Sequence, residues 1–209
     1  MGFLSLYMDV LDKNVFILGV GEVATRRARS FIEKGANVRL VGDKISSELS
    51  NMGCVLKPLD EIDSCVDWSD IVIIASDNKD LVDYVVSISE NKLINRADSP
   101  FEGNLIVPNS FFIGDVEVSL STHGKSPLMA KQLRKKIQET ITENDIKSIQ
   151  LQDYCRKLLK SEVPNQKTRK KILYNILNNS DINNLINNGE FEEAKKQANK
   201  LIKNEIKEL

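Results

Sequence analysis

The residues with the clearest chemical potential are small ones near the start of the chain. Gly19, Gly21 and Ala24 have the spacing G-x-G-x-x-A and directly follow a short apolar run. The first glycine permits a tight turn, the second lets the backbone approach a pyrophosphate, and the alanine lets a helix lie close to a strand. The backbone N–H groups of that helix start, around Glu22 and Val23, favour an anion. The pattern predicts a dinucleotide site, with an empty structural turn as the alternative.

Polar residues follow two further apolar runs. Asp43 comes after the second run, at the distance from the glycine loop where an acidic group accepts hydrogen bonds from an adenosine ribose. This carboxylate favours NAD over NADP, although the neighbouring Lys44 weakens the argument, and Asp43 could instead cap a helix. Ser76 and Asp77 follow the run Asp70–Ala75 and are candidates for the ribose or nicotinamide end of the cofactor. Their alternative is to cap the next helix.

Alternating strand and helix patterns would bring these loops together. Apolar runs predict buried strands, and apolar residues at helical spacing predict the intervening helices. The predicted strands are Val15–Leu18, Asn37–Val41, Cys54–Leu56, Asp70–Ala75 and Lys92–Asn95, and the predicted helices are Val23–Lys34, Ile45–Met52 and Asn78–Glu90. This order predicts an α/β fold with a Rossmann-like parallel sheet covered by helices on both faces.

The pattern changes after residue 103. Three strand-like stretches, Asn104–Val107, Phe111–Ile113 and Val116–Ser121, are not separated by helices and predict antiparallel additions or a small separate sheet. The remainder is predicted to be helical over Pro127–Ile141, Ile146–Leu159, Gln166–Leu177, Asp181–Leu185 and Phe191–Lys207. We therefore predict a Rossmann domain over residues 1–113, a small β-α segment over 114–144 and a helical domain over 145–209.

Composition excludes several classes of protein. The chain has 209 residues, a net charge of −1, 41% hydrophobic and 28% charged residues, and no run of 18 apolar residues, so we expect no membrane span. It lacks a basic signal-peptide start, which favours a cytoplasmic location, and it has no CxxC pair, which argues against a cysteine zinc site. The near-neutral charge argues against nucleic-acid binding. His123 is the single histidine, so we predict no resident metal site.

The charge is unevenly divided along the chain. Residues 1–130 carry 12 Lys and Arg against 19 Asp and Glu, whereas residues 131–209 carry 17 against 11. Part of the excess lies on the Pro127–Ile141 helix, at Lys131, Arg134, Lys135 and Lys136. These cations either form a solvated face or face an anionic ligand.

Three segments of the chain are distinctive: the glycine loop followed by Arg26–Arg29, the segment Asn95–Pro100, and Ser121–Ala130 followed by Leu133 and Arg134. Together they resemble the siroheme synthase N-terminal family. They occur in the family's order and spacing, and the second and third are not general Rossmann features. The opening residues 3–6 also resemble the family's entry segment, so that the resemblance spans roughly residues 3–140.

This resemblance implies NAD-dependent oxidation of precorrin-2 to sirohydrochlorin. Some members of that family also insert ferrous iron into the product, so iron is a candidate second substrate. The implied architecture is a Rossmann domain, a dimerisation segment and a helical domain, assembled as a homodimer. The chain is too short to include the methyltransferase domain of the bifunctional relatives.

The resemblance also assigns roles to individual residues. Asp98 matches the aspartate that the family uses in proton transfer, and a turn before Ser99 is its alternative. Asn95, His123, Lys125 and Ser126 are candidate substrate contacts. Lys125 replaces the family's threonine. Ser126 also has the form of a helix N-cap before a proline, and His123 could equally be a solvated loop residue.

Two other functions remain open at this point. A non-catalytic NAD(H)-sensing module would need the glycine loop and a helical tail, but it would not need the segments Asn95–Pro100 and Ser121–Ala130. A chelatase that has lost dehydrogenation is disfavoured by the intact Gly19, Gly21 and Asp98.

Overall fold

The computed structural model describes residues 2–99 and 101–208. Met1, Leu209 and Pro100, the proline of the Asn95–Pro100 segment, lie outside the described residues. The chain divides into two compact units, Met1–Val107 and Pro108–Leu209. The boundary therefore precedes the residues 108–113 that the sequence assigned to the Rossmann domain.

The first unit is built on a parallel sheet. Its strands, all parallel, lie in the order β3-β2-β1-β4-β5, which follows the first five strands of the doubly wound Rossmann order, and the strand order reverses between β1 and β4. The strands are β1 (Asn14–Leu18), β2 (Asn37–Val41), β3 (Val55–Lys57), β4 (Ile71–Ile74) and β5 (Leu93–Arg96). The predicted Rossmann-like α/β fold is confirmed.

Helices connect these strands across both faces of the sheet. They are α1 (Glu22–Ile32), α2 (Ser47–Asn51), α3 (Ile62–Trp68) and α4 (Lys79–Ile88), with a 3-10 turn over Leu59–Glu61 before α3. The sequence did not predict α3. This helix has only seven residues, too few to display more than two turns of apolar periodicity.

Alternation along β1 shows how both faces of the sheet are buried. Val15 and Ile17 belong to one apolar cluster with Ala24 and Ala28 of α1. Phe16 and Leu18 belong to the other cluster, with residues of α3 and α4. Because every second side chain points to the opposite face, a strand covered by helices on both sides must be apolar throughout.

The segment 104–107 was predicted as a strand but is irregular. The Asn104 side chain accepts a hydrogen bond from the N–H of Ile94 at 2.6 Å and donates to the carbonyl of Lys92 at 2.8 Å. The backbone N–H of Leu105 also donates to the Ile94 carbonyl, at 3.0 Å. A side-chain amide thus satisfies part of the exposed edge of β5, where a further strand would otherwise pair.

The second unit begins with an antiparallel hairpin, β6 (Asn109–Ile113) and β7 (Val116–Leu120). Helices follow as α5 (Pro127–Thr140), α6 (Glu143–Glu162), α7 (Gln166–Leu177), α8 (Ser180–Asn187) and α9 (Phe191–Lys207). The core formed by α6–α9 includes Leu159, Ile172, Ile176 and Ala198, each fully buried. The predicted small separate sheet and helical region are both present.

Candidate functional site

The strand register aligns the carboxyl ends of β1, β2, β4 and β5 with one another. Leu18 of β1 is paired with Val41 of β2 and with Ile74 of β4, and Ile74 is paired with Arg96 of β5. The loops that leave these residues therefore emerge at the same edge of the sheet. In an open parallel sheet, that carboxyl edge is where ligands bind, at the point where the strand order reverses.

The first loop contains a glycine at a position where any side chain would be strained and crowded. Gly19 has φ +112°, and its N–H donates to the carbonyl of Val41 at 3.0 Å. A Cβ at this position would lie 2.3 Å from the carbonyl oxygen of Ala75, directly after β4. Gly19 thus lets the chain turn while the loops after β1 and β4 lie in contact.

The space around Gly21 is open, whereas the space around Gly19 is crowded. Gly21 precedes α1 in an extended conformation, with no side chain capping the helix, and a Cβ on it would meet no atom within 4 Å. Ala24 is fully buried against the sheet, while Glu22 and Val23 are exposed on the first turn. An uncapped helix start beside open space fits a pyrophosphate, which accepts hydrogen bonds from those N–H groups.

The loop after β2 shows a glycine that the sequence reasoning did not use. A Cβ on Gly42 would lie 2.6 Å from the Val20 side chain, so Gly42 lets the β2 loop contact the glycine loop. The sequence signal that could have identified Gly42 is its position directly after a predicted strand. Asp43 and Lys44 follow and are both exposed. The alternative that Asp43 caps a helix is wrong, because Ser46 caps α2.

Ser76 and Asp77 lie in the loop after β4, next to Gly19. The Ser76 hydroxyl accepts a hydrogen bond from the N–H of Asn78 at 3.2 Å. Asn78, and neither predicted residue, caps α4 by accepting from Leu81 N–H at 3.2 Å. Asp77 is exposed. Both residues therefore lie at the sheet edge without being used as helix caps, and their contact with a cofactor stays a prediction.

Asn95 is placed in the interior of the first unit. It is 4% exposed, and its Nδ2 donates to the carbonyl of Leu105 at 2.9 Å, while its Oδ1 is buried with no hydrogen-bond partner. Arg27 of α1 donates to the carbonyl of Val107 at 2.8 Å, and burial lowers the pKa of its guanidinium to about 10. The amide and the guanidinium thus fasten the 105–107 segment. A substrate contact by Asn95 stays a prediction.

Asp98 follows the aligned row by two residues, and Arg96 holds it. Arg96 Nε lies 2.9 Å from Asp98 Oδ1, and Arg96 Nη2 lies 2.6 Å from Asp98 Oδ2. These hydrogen bonds lower the pKa of Asp98, and burial only partly opposes them. The carboxyl group is therefore ionised at neutral pH. Arg96 lies within the segment Asn95–Pro100, and an arginine two residues before the key carboxylate was a usable sequence signal for this ion pair.

In the second unit, the remaining candidates form a turn before α5. His123 is exposed with φ +50°, its N–H donates to the Ser121 hydroxyl at 3.1 Å, and Lys125 is exposed. The Ser126 hydroxyl accepts from the N–H of Met129 at 3.2 Å, so Ser126 is the N-cap of α5. Exposed cation and helix start together could hold a carboxylate of a ligand.

No group of three or more His, Cys, Asp or Glu side chains suited to a metal ion occurs in residues 2–99 and 101–208. Over the same ranges, no helix combines the length and the apolar character needed to cross a membrane. The cysteines Cys54, Cys65 and Cys155 are free and buried, and burial raises the pKa of the Cys54 and Cys155 thiols to about 11.

Known proteins are similar to this chain over more than the unit that contains the parallel sheet. Residues 6–109 match a family model described as "Putative NAD(P)-binding". The chain is 27% identical to a precorrin-2 dehydrogenase of Methanosarcina barkeri, over 96% of this chain and 93% of that protein. It is 24% identical to a precorrin-2 dehydrogenase of Priestia megaterium, over 90% of this chain and 95% of that protein.

A longer protein and a solved structure are also similar. A siroheme synthase of Actinobacillus pleuropneumoniae is 24% identical over 93% of this chain but only 41% of its own length. A solved structure titled "SirC, precorrin-2 dehydrogenase" has a TM-score of 0.77 and 22% identity, covering 95% of this chain and all of that chain. The predicted resemblance and the fold are confirmed.

Proposed function

We propose that this homologue of the precorrin-2 dehydrogenases and siroheme synthases catalyses the NAD-dependent oxidation of precorrin-2 to sirohydrochlorin. The observation that carries the proposal is that relatives named for this activity align with both units of the chain, and not only with the NAD(P)-binding part. A Rossmann sheet alone would leave the substrate open, because many unrelated reactions use it.

The cofactor proposal rests on the carboxyl edge of the sheet. Gly19 lets the loop turn and Gly21 leaves room for a pyrophosphate at the start of α1, where the backbone N–H groups of Glu22, Val23 and Ala24 would bind it. Asp43 would accept hydrogen bonds from the adenosine ribose, which selects NAD. Ser76 and Asp77, beside Gly19, would contact the nicotinamide half. When bound, NAD+ supplies the acceptor for a hydride.

Asp98 is the proposed proton acceptor. Removal of two hydrogen atoms from precorrin-2 releases one hydride and one proton. An ionised carboxylate in the loop at the carboxyl edge of the sheet can accept the proton. Its side chain is 30% exposed, which leaves it accessible to a ligand while Arg96 fixes its direction. Lys125 and the α5 start, with Ser126 and His123, are the proposed contacts for substrate carboxylates.

A homodimer is also part of the proposal. None of the α5 residues, all of which the structure describes, is buried. Leu128 is 79% exposed and Met129 47% exposed on this helix, and Phe112 of the hairpin is 59% exposed. A second copy that covers these apolar groups would remove them from water, which is favourable. We therefore propose that segment 114–144 dimerises. The cytoplasmic location predicted from the sequence stays part of the proposal.

The direct test combines purified protein, NAD+ and precorrin-2. We expect NADH to appear together with the absorption spectrum of sirohydrochlorin. A folded protein that binds NAD+ but yields neither product would contradict the enzyme and favour an NAD(H)-sensing module. Ferrous iron added after the oxidation is complete tests chelation separately, because only metal insertion would convert the sirohydrochlorin spectrum to that of sirohaem.

A further inference from the structure

The loop that leaves β5 is organised around one arginine. Arg96 is the last residue of β5, and its side chain is only 11% exposed. Two of its nitrogens bind the two oxygens of Asp98, and the third, Nη1, lies 3.1 Å from Oε2 of Glu102. A single guanidinium thus joins two carboxylates on either side of the loop.

Both ends of this loop are fixed to the sheet. The N–H of Ala97 donates to the carbonyl of Ile74 at 2.9 Å, and Asn104 is hydrogen-bonded to β5 as described above. A Cβ on Gly103 would lie 2.5 Å from the carbonyl oxygen of Ile94, so the returning backbone touches the strand. Arg96 therefore acts on a short segment whose ends cannot move far.

We propose that Arg96 is a positioning residue that holds the Asp98 carboxylate in the orientation and charge state in which it accepts the substrate proton. The inference rests on the proposed function, in which Asp98 is the base for precorrin-2 oxidation. It assigns a role to a residue outside the glycine loop and outside the group of candidate substrate contacts.

The hydrogen bonds from Arg96 both orient the Asp98 carboxylate and keep it ionised. A fork of two N–H donors gives a hydrogen bond to each carboxylate oxygen and so fixes the plane in which the carboxylate lies. The same hydrogen bonds are the largest cause of the lowered pKa of Asp98, with smaller contributions from the backbone N–H groups of Asp98 and Ser99. In the reaction the hydride goes to NAD+ and the proton goes to Asp98, so that two hydrogens leave the substrate.

The surrounding charges support the pair. Glu102 of the loop and Asp83 of α4 both stabilise the Arg96 cation, and the hydrogen bond to Asp98 is the largest cause of the raised pKa of Arg96. Arg96 therefore remains charged across the pH range in which Asp98 titrates.

The test is the pH dependence of kcat/KM in Arg96→Gln. Asp98 must be ionised to accept a proton, so activity falls as the pH drops through its pKa. Without the guanidinium this pKa rises, and we expect the acid limb to move to higher pH. Arg96→Lys, which retains a charge without the planar fork, should give a smaller shift.

Glu102→Gln is the matched control, because it removes the other ion pair of Arg96 and leaves both bonds to Asp98. Its acid limb should stay with that of the wild type. An unmoved acid limb in Arg96→Gln, or a shift of the basic limb only, would overturn the inference. If Arg96→Gln does not fold, the comparison between Arg96→Lys and Glu102→Gln decides in the same way.

A second readout separates this inference from the proposed function. Carbon NMR of aspartate-labelled protein, assigned with Asp98→Asn, follows the Asp98 titration without any substrate. A wild type that does not oxidise precorrin-2 contradicts the proposed function, whereas an active wild type whose Asp98 titrates as it does in Arg96→Gln contradicts only the role of Arg96.

Discussion

A Cβ on residue 19 would lie 2.3 Å from the carbonyl oxygen of Ala75, so the glycine at this position lets the loops after β1 and β4 touch. The obstacle is backbone, which cannot rotate away as a side chain can. The same residue has φ +112°, a conformation that residues with a Cβ rarely adopt. Position 19 is therefore constrained by both strain and space.

Gly19→Ala should destabilise the first unit. Strain at positive φ and a forced backbone contact each cost about 1–3 kcal/mol, so we expect a loss of roughly 2–6 kcal/mol in the free energy of unfolding. Chemical denaturation measures it. Gly53→Ala is the control, since Gly53 has φ +91° but no neighbour within 4 Å of a Cβ. An equal loss in the two variants would refute the contact with Ala75.

Gly21→Ala should affect binding without affecting stability. Position 21 has φ −70°, which alanine adopts freely, and a Cβ there meets nothing within 4 Å. The added methyl would instead occupy space that a pyrophosphate needs. We expect the Kd for NAD+ to rise by about tenfold or more, equivalent to about 1.4 kcal/mol. Calorimetric titration measures the Kd, and an unchanged value would place the cofactor elsewhere.

Asp98→Asn should remove the proton acceptor and leave the cofactor site intact. Loss of general-base catalysis lowers kcat by roughly 10²–10⁴-fold, while the Kd for NAD+ should stay the same. Steady-state kinetics and an NAD+ titration measure the two quantities. Glu102→Gln serves as the control, because it alters an Arg96 ion pair without touching Asp98. Retained turnover in Asp98→Asn would exclude this carboxylate from the mechanism.

Substitutions of Ser126 can distinguish its role as the N-cap of α5 from a position close to the substrate. Asp and Asn cap helices about as well as Ser, so Ser126→Asp and Ser126→Asn should keep the thermal midpoint, whereas Ser126→Ala should lose about 1 kcal/mol. If α5 begins beside substrate carboxylates, only Ser126→Asp adds a repulsive charge. We expect it to raise the KM for precorrin-2 relative to Ser126→Asn. Equal KM values would remove this turn from the substrate site.

The dependence of KM on salt should differ between precorrin-2 and NAD+. Lys135 and Lys136 are exposed on α5, and exposed charges are screened within about 10 Å at 0.1 M ionic strength. If they face the substrate, added salt should raise the KM for precorrin-2 more steeply than the KM for NAD+. Replacing both with Gln should flatten that dependence, whereas Lys200→Gln on α9 should not. Parallel salt curves for the two ligands would identify these lysines as a solvated face.

Much of the fold followed from local patterns. Two helices, Gln166–Leu177 and Phe191–Lys207, and the strand Asn37–Val41 have the predicted bounds, because apolar periodicity and capping residues act within a few positions. The glycine spacing likewise determined the turn after β1. The order of strands and helices was sufficient for the Rossmann-like sheet, since parallel connections have few alternatives.

Only the tertiary structure decided which distant groups meet. It placed Asn104 along β5 where a strand was expected, brought the buried Asn95 and the half-buried Arg27 onto the 105–107 segment, and brought Gly42 close to Val20. It also turned Arg96 toward Asp98. Local patterns arise from the chain's own backbone geometry, whereas these contacts depend on which polar groups the folded backbone leaves within hydrogen-bonding distance once water has been removed.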